Sequence, residues 1–349
     1  REKNMELISR RRFGQIAIAS GAVVAISGLI GKSIAQTPGV VILGVSPGTV
    51  SSDSSDTVDS DDVVDSEAEE NSVVENDSNA KKPVVIQSYN VSTGQTKTVT
   101  RTQPILEKGE LVSGFAVSKT GELVVSTSPI AAEKNSSNRL VTLKGSSVET
   151  KEVSGVAKDE SLDLIELPDG SISGVVKKEN GTGSRKIVDV DSESGAVKKR
   201  STPTKVPIKG SLETSNSTDV VKPEANTQVV EAEKLEVAPS IEIPSELPSD
   251  KEYKNVVVCD DGNRYAFLTD FQGDTSLVNI TTGKTVPVTF EGAVWNNGFS
   301  GLVCAQNNQL YALGGRRYET PKFLHQLDKE TGNLKRLAPF DVATIALGK

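Results

Sequence analysis

Histidine occurs once in these 349 residues, tryptophan once and cysteine twice, and aromatic residues make up only 4% of the chain. Each scarcity removes a class of chemistry. One His and two Cys cannot assemble a four-ligand structural zinc site of the usual nitrogen–sulfur type within one chain. The lone His325 sits beside Phe323 and Leu324 in what reads as a third strand of a repeat unit. It could serve as a general base or a ligand, but a solvent-facing strand residue is the expected role. No Gly-x-Ser-x-Gly sequence is present, so a nucleophile elbow is unsupported. Gly181-Thr182-Gly183 is followed by neither a helix pattern nor a Lys-Ser/Thr pair, and reads as loop rather than phosphate cradle. No long stretch carries the 3.6-residue apolar period of an amphipathic helix. No basic footprint for nucleic acid is visible.

What is present is Gly, Ser, Thr, Val, Asp and Asn, in short Val/Ile-rich runs broken by Asp-Gly, Thr-Gly or Asn-Asn. That pattern predicts an all-β protein. Charge is unevenly placed. The chain carries −8 overall, while its first 35 residues hold six basic and two acidic side chains, which leaves the remainder at −12. Residues 51–80 hold eleven acids and no Lys or Arg, so nearly all of that charge is in one tract. Low hydrophobicity with high net charge predicts a disordered, solvated insertion over 49–82. Asp59-Ser60-Asp61-Asp62 lacks the Gly and distal Glu of a calcium loop.

From Lys82 onward a repeat is visible. Strand-turn-strand copies run through Phe115–Val125, Leu164–Gly174, Val256–Ala266 and Leu302–Ala312, with turns at 121, 170, 262 and 308. The middle interval is about twice the others, which predicts a diverged copy near Ser215-Asn216-Ser217. A second half-unit recurs as strand, polar residues, then Gly, ending at Gly94, Gly195, Gly283 and Gly332. A period of this size with four strands per unit resembles a β-propeller. Repetition has a physical reason, since one four-stranded blade cannot bury both faces alone. First strands fall near 112, 162, 210, 255, 300 and 341. The expectation is six blades within a domain spanning 36–349. The apolar run Val342–Leu347 has no partners after it and Val40–Val45 has none before it, so the two ends should share the closing blade. Region 200–250 is the weakest, with Pro203, Pro207, Pro223, Pro239, Pro244 and Pro248 and few large apolar residues, so a five-bladed ring is the alternative.

Cys259 and Cys304 fall at matching places at the ends of first strands, 45 residues apart. A disulfide would need Cα atoms within roughly 7 Å. The other reading, which spacing alone favours, is two small buried residues in equivalent positions. The segment Phe290–Phe299 holds the only Trp, and Trp295, Asn296 and Asn297 are the candidate ligand-binding residues, with core packing of Trp295 as the competing reading. No catalytic residue is assigned.

The N-terminal stretch Ser9-Arg10-Arg11-Arg12-Phe13 precedes a weakly apolar run to Gly31, then Lys32 and Ser33-Ile34-Ala35. These are the basic, apolar and small-residue parts of an export signal. A membrane span needs about 20 predominantly apolar residues, and this run is shorter and diluted by Gly and Ser, so no stable span is expected once the signal is cut. Ser-Arg-Arg-x-Phe resembles the twin-arginine signal, with Arg10, Arg11 and Phe13 as its core and cleavage after Ala35. The resemblance implies recognition by the twin-arginine export machinery and a mature chain in a periplasm or thylakoid lumen. The chain as a whole resembles the uncharacterised, twin-arginine-exported, propeller-like proteins of cyanobacteria. The functional expectation is a non-enzymatic exported propeller that binds a protein or an envelope glycan and needs no cofactor. The alternative is a calcium-dependent six-bladed hydrolase of lactones or phosphoesters, with Asp260, Asp261, Asn296 and Asn297 as its donors.

Overall fold

A computed structural model describes residues 39–48, 81–130, 137–178, 185–200, 204–207, 240–244, 247–248, 251–316 and 319–349. The export signal with Arg10, Arg11, Phe13 and Ala35, the acidic tract, and the copy expected near residue 216 lie outside them. The described residues are β-strand and turn throughout. No helix among them is long and apolar enough to cross a membrane.

In chain order the strands are β1 (Val41–Pro47), β2 (Lys82–Asn90) and β3 (Gln95–Leu106), followed by β4 (Glu110–Val117), β5 (Leu123–Pro129), β6 (Arg139–Lys144) and β7 (Ser147–Glu152). Next come β8 (Glu160–Glu166), β9 (Ile172–Lys178), β10 (Lys186–Val190) and β11 (Val197–Lys199), then β12 (Thr204–Pro207) and β13 (Ser240–Ile243). The second half holds β14 (Lys254–Val258), β15 (Arg264–Thr269), β16 (Thr275–Asn279), β17 (Thr285–Pro287), β18 (Thr289–Phe290) and β19 (Ala293–Val294). It ends with β20 (Gly301–Cys304), β21 (Leu310–Gly314), β22 (Phe323–Leu327), β23 (Leu334–Pro339) and β24 (Thr344–Leu347).

Five antiparallel four-stranded sheets result: β4–β7, β8–β11, β14–β17, β20–β23, and the sheet ordered β24-β1-β2-β3. Within one blade the sequence grades from apolar to polar. β5 reads Leu-Val-Val-Ser-Thr-Ser-Pro and is buried on both faces, whereas the outermost β7 reads Ser-Val-Glu-Thr-Lys-Glu and is largely exposed. Charged outer strands blunt the edge that would otherwise template pairing with another chain. The turns between first and second strands need φ > 0. Gly121, Gly170 and Gly262 have φ of 85, 80 and 83°, and Asn308 takes the same place in the fourth copy at 59°.

The molecule is a β-propeller, and the expected blade count of six is corrected to five among the described residues. The inner strands β4, β8, β14, β20 and β24 follow one another around a closed ring, β8 lying directly against β14. A continuous core bridges those two blades, with Ile165, Leu167, Val175 and Ile187 meeting Val256, Val258, Ala266 and Val278. No gap is left for another blade. Between β11 and β14 the described chain forms only the two-stranded pair β12–β13. The interval arithmetic places another blade here, but among the described residues β8 packs directly on β14.

Closure follows the expected form. β24 pairs antiparallel with β1, Ile42 opposite Leu347 and Val45 opposite Thr344. The acidic tract is therefore inserted between β1 and β2 of the closing blade. At the end of the channel where the inner strands finish, two links tie blades together. Cys259 and Cys304 form a disulfide with a Cα–Cα distance of 5.4 Å, which corrects the favoured reading of two unlinked buried residues in equivalent positions. Lys349 Nζ donates to the carbonyls of Val117 (2.7 Å) and Ser118 (2.8 Å) and pairs with Glu166 at 3.0 Å.

The disulfide closes a loop of 45 residues between neighbouring inner strands. Converting both Cys259 and Cys304 to Ser should lower unfolding free energy by about 2–4 kcal/mol in denaturant titrations. An unchanged midpoint would show that the link does not restrain the ring.

Candidate functional site

The N-terminal ends of the inner strands converge on a cavity of about 410 Å³ at the opposite mouth of the channel. All five blades contribute: Val112 and Ser113 from β4, Ser161 and Asp163 from β8, Lys254 and Asn255 from β14, Ser300 ahead of β20, and Ala343 and Thr344 at β24. Lys177 and Lys178 at the end of β9, Arg185 ahead of β10 and Glu252 ahead of β14 complete the charged wall. The volume lies within the usual range of small-molecule sites.

Four cations face two carboxylates here. Lys177 Nζ pairs with Asp163 at 3.2 Å, and Arg185 Nη2 pairs with Glu252 at 2.9 Å. The Arg185 side chain is only 7% exposed, and its Nη1 is buried without a hydrogen-bond partner among the described residues. Burial pulls the Arg185 pKa below its ordinary value, and the charges of Glu252 and Asp163 oppose that shift. The guanidinium nevertheless stays charged, because arginine does not deprotonate in proteins. Arg185 also anchors the backbone, since Leu247 N donates to its carbonyl at 3.2 Å.

The mouth is held open by an unusual local conformation. Asn255 has φ of 52°, a region that Asn tolerates better than most residues. The register of β14 against β15 shifts between Lys254 and Val257, and such a bulge re-aims side chains at a sheet end. Asn255 Nδ2 donates to the Phe299 carbonyl at 2.8 Å, tying one inner strand to the lead-in of the next.

The sequence-predicted site residues lie beside this cavity rather than in it. Trp295 is 2% exposed and packs in the core between the β14–β17 and β20–β23 blades. It stacks on Phe299 at 5.0 Å, and Phe299 stacks on Phe267 at 4.3 Å. Because Phe299 lines the cavity, Trp295 supports the wall from behind. Asn297 is spent on structure: its Nδ2 donates to the Gly315 carbonyl at 2.7 Å, and its own carbonyl accepts from Thr275 Oγ1 at 2.7 Å. Asn296 is exposed and stands outside the cavity lining. Asp260 and Asp261 follow β14 while Asn296 and Asn297 precede β20, so the donors expected for calcium sit at opposite ends of the channel. Among the described residues no group of three or more His, Cys, Asp or Glu side chains comes together.

The expectation for His325 is also corrected. It is fully buried rather than solvent-facing, with Trp295 at 5.3 Å and Phe290 at 5.9 Å edge-on to its ring. Burial lowers its pKa to about 4, and the nearby Arg336 guanidinium pushes in the same direction. It is a neutral core residue, remote from the cavity lining.

Sequence reasoning missed Asp163, Lys177, Lys178, Arg185, Glu252 and Lys254. They come from separate segments and form no motif. One signal was available: Ser113, Lys254 and Ser300 each stand eight residues before a repeat turn, and Ser161 and Asp163 flank that place in the second copy. A polar side chain recurring at the head of an apolar first strand marks the ring of residues around the channel mouth.

No family model matches the chain, and no curated protein sequence matches it. Among solved structures it is similar to a protein of unknown function from Bacteroides caccae, with 14% identity, 89% of this chain and 99% of that one covered, and a TM-score of 0.45. It is similar to an exo-β-1,3-galactanase from Phanerochaete chrysosporium, with 12% identity, 75% and 58% covered, and a TM-score of 0.41. It is also similar to a candidate 6-phosphogluconolactonase from Bacteroides fragilis, with 12% identity, 90% and 99% covered, and a TM-score of 0.37. Likenesses this distant assign no ligand and no reaction to the chain.

The buried histidine gives a pH test. Its folded pKa of about 4 lies below the ordinary 6.5, so the unfolded chain binds the proton first as pH falls. The full contribution is present above pH 6.5 and is lost between there and pH 4, by roughly 3 kcal/mol. Unfolding free energies of the His325→Phe variant should lack this slope over pH 4.5–6.5. The same slope in variant and wild type would contradict the assignment.

Proposed function

We propose that this chain is an exported binding protein that seats a small envelope glycan at the mouth of its propeller channel. The observation that carries the reading is the cavity itself: all five blades contribute to it, and it is a concave space of about 410 Å³ lined by both polar and apolar groups, a size that suits a small ligand. The opposite end of the channel is tied by the Cys259–Cys304 disulfide and by Lys349, so the mouth is the side left for a ligand. In this reading the charged groups hold a ligand: Asp163 and Glu252 are each engaged by a cation, and the one imidazole is buried in the core.

Export through the twin-arginine machinery is part of the proposal. It is supported by Arg10, Arg11 and Phe13 in the signal pattern, and by a disulfide of the kind that persists in oxidising compartments such as a periplasm or thylakoid lumen. The mature chain would then act after the cut at Ala35, without a membrane span and without nucleic acid.

Thermal unfolding of the mature protein against a panel of soluble envelope saccharides, and separately against calcium, tests the reading. A saccharide at a hundredfold excess over its Kd should stabilise the fold by about 2.7 kcal/mol, seen as a raised Tm, while calcium leaves Tm unchanged. A calcium-dependent rise with no saccharide effect would overturn it in favour of a metal-dependent protein.

A further inference from the structure

We infer that the glycan seated at the channel mouth is an acidic one, with a uronate-type carboxylate held by Arg185 and its hydroxyls by the surrounding polar ring. The inference rests on the channel-mouth reading above and adds the ligand's chemical class. Its first ground is charge. Lys177, Lys178, Arg185 and Lys254 outnumber Asp163 and Glu252 by two at this mouth, although the chain as a whole carries −8. A local excess of cations in an acidic protein focuses a field that selects anions.

The second ground is the state of Arg185. Its side chain is more than nine-tenths buried, lines the cavity, and has satisfied only part of its donor fork: Nη2 is paired with Glu252, and Nη1 has no partner among the described residues. A buried guanidinium nitrogen without an acceptor is costly, and a planar carboxylate is the acceptor that its fork geometry matches.

The third ground is the presence of two carboxylates, Asp163 and Glu252, in the same wall. Asp163 pairs with Lys177, and Glu252 with Arg185 and Lys254, and the remaining carboxylate oxygens are acceptors for ligand hydroxyl groups. Ser161, Ser300 and Thr344 add hydroxyls that both donate and accept. An anion rich in hydroxyls is what this combination recognises.

Calorimetric titration of the mature protein with digalacturonate, galactobiose, acetate and inorganic phosphate, paired with amide chemical-shift mapping, tests this. Digalacturonate should bind at least tenfold more tightly than galactobiose, lose affinity as salt rises, and shift amides at the N-terminal ends of β4, β8, β14, β20 and β24. Arg185→Gln should weaken it at least tenfold. Because that change removes the shorter of the two ion pairs of Glu252 and can cost stability, Lys178→Ala and Lys254→Ala serve as second variants. Lys178 is exposed and the Lys254 side chain is 43% exposed, so removing either spares the core. Each should weaken digalacturonate several-fold more than it weakens galactobiose. Equal binding of the neutral and acidic sugars at the mouth would overturn the inference and leave the channel-mouth reading standing. Phosphate binding more tightly than digalacturonate would also overturn it. If no probe shifts the mouth amides, the channel-mouth reading fails together with the inference.

Discussion

The structure depends on one pairing. β24 joins β1 across almost the whole length of the chain, with Leu43 opposite Ala346 and Gly44 opposite Ile345. A propeller blade packs its two faces on its neighbours, so an open ring leaves two blades half-covered. The closing pair covers both. Its apolar side chains then enter two cores at once: Val41, Leu43, Val45 and Ala346 face the β4–β7 blade, and Ile42 and Ile345 face the β20–β23 blade. The close approach is visible at Gly44, where a side-chain carbon would fall 2.7 Å from Phe340. Without this pairing the inner strands lose their circular order, and the mouth they surround loses its shape.

Ring closure also explains why the two channel ends differ. Both the disulfide and Lys349 act where the inner strands finish. The other end is built from strand beginnings, whose polar residues and preceding loops leave a lined cavity. Fastening one end of a ring of short strands leaves chemistry free to vary at the other. Function on a common fold resides in such sites rather than in the fold itself.

Much of this architecture was legible in the sequence. The repeat turns at Gly121, Gly170, Gly262 and Asn308 are where the chain adopts φ > 0. The shared closing blade was legible because an apolar run without partners stands at each end of the repeat. The blade count was not, because interval arithmetic counts chain length, whereas neighbouring blades are set by packing, here β8 directly against β14. His325 and Trp295 were misplaced or left open for a related reason. The strand pattern shows which residues alternate, but the second face of a blade is buried by a neighbour that sequence does not place. The cavity was the least legible part. Its charges come from β8, β9, β14 and the segments ahead of β10 and β14, brought together only by the ring.

If ligand recognition sits where the five inner strands begin, hydrogen exchange of the mature protein with and without a soluble saccharide extract of an envelope will locate it. Added protection should be confined to the backbone around Ser113, Ser161, Asn255, Ser300 and Thr344 and to the loops beside them. Protection confined to the outer strands β3, β7, β11, β17 and β23, with the mouth unchanged, would refute a channel-mouth site.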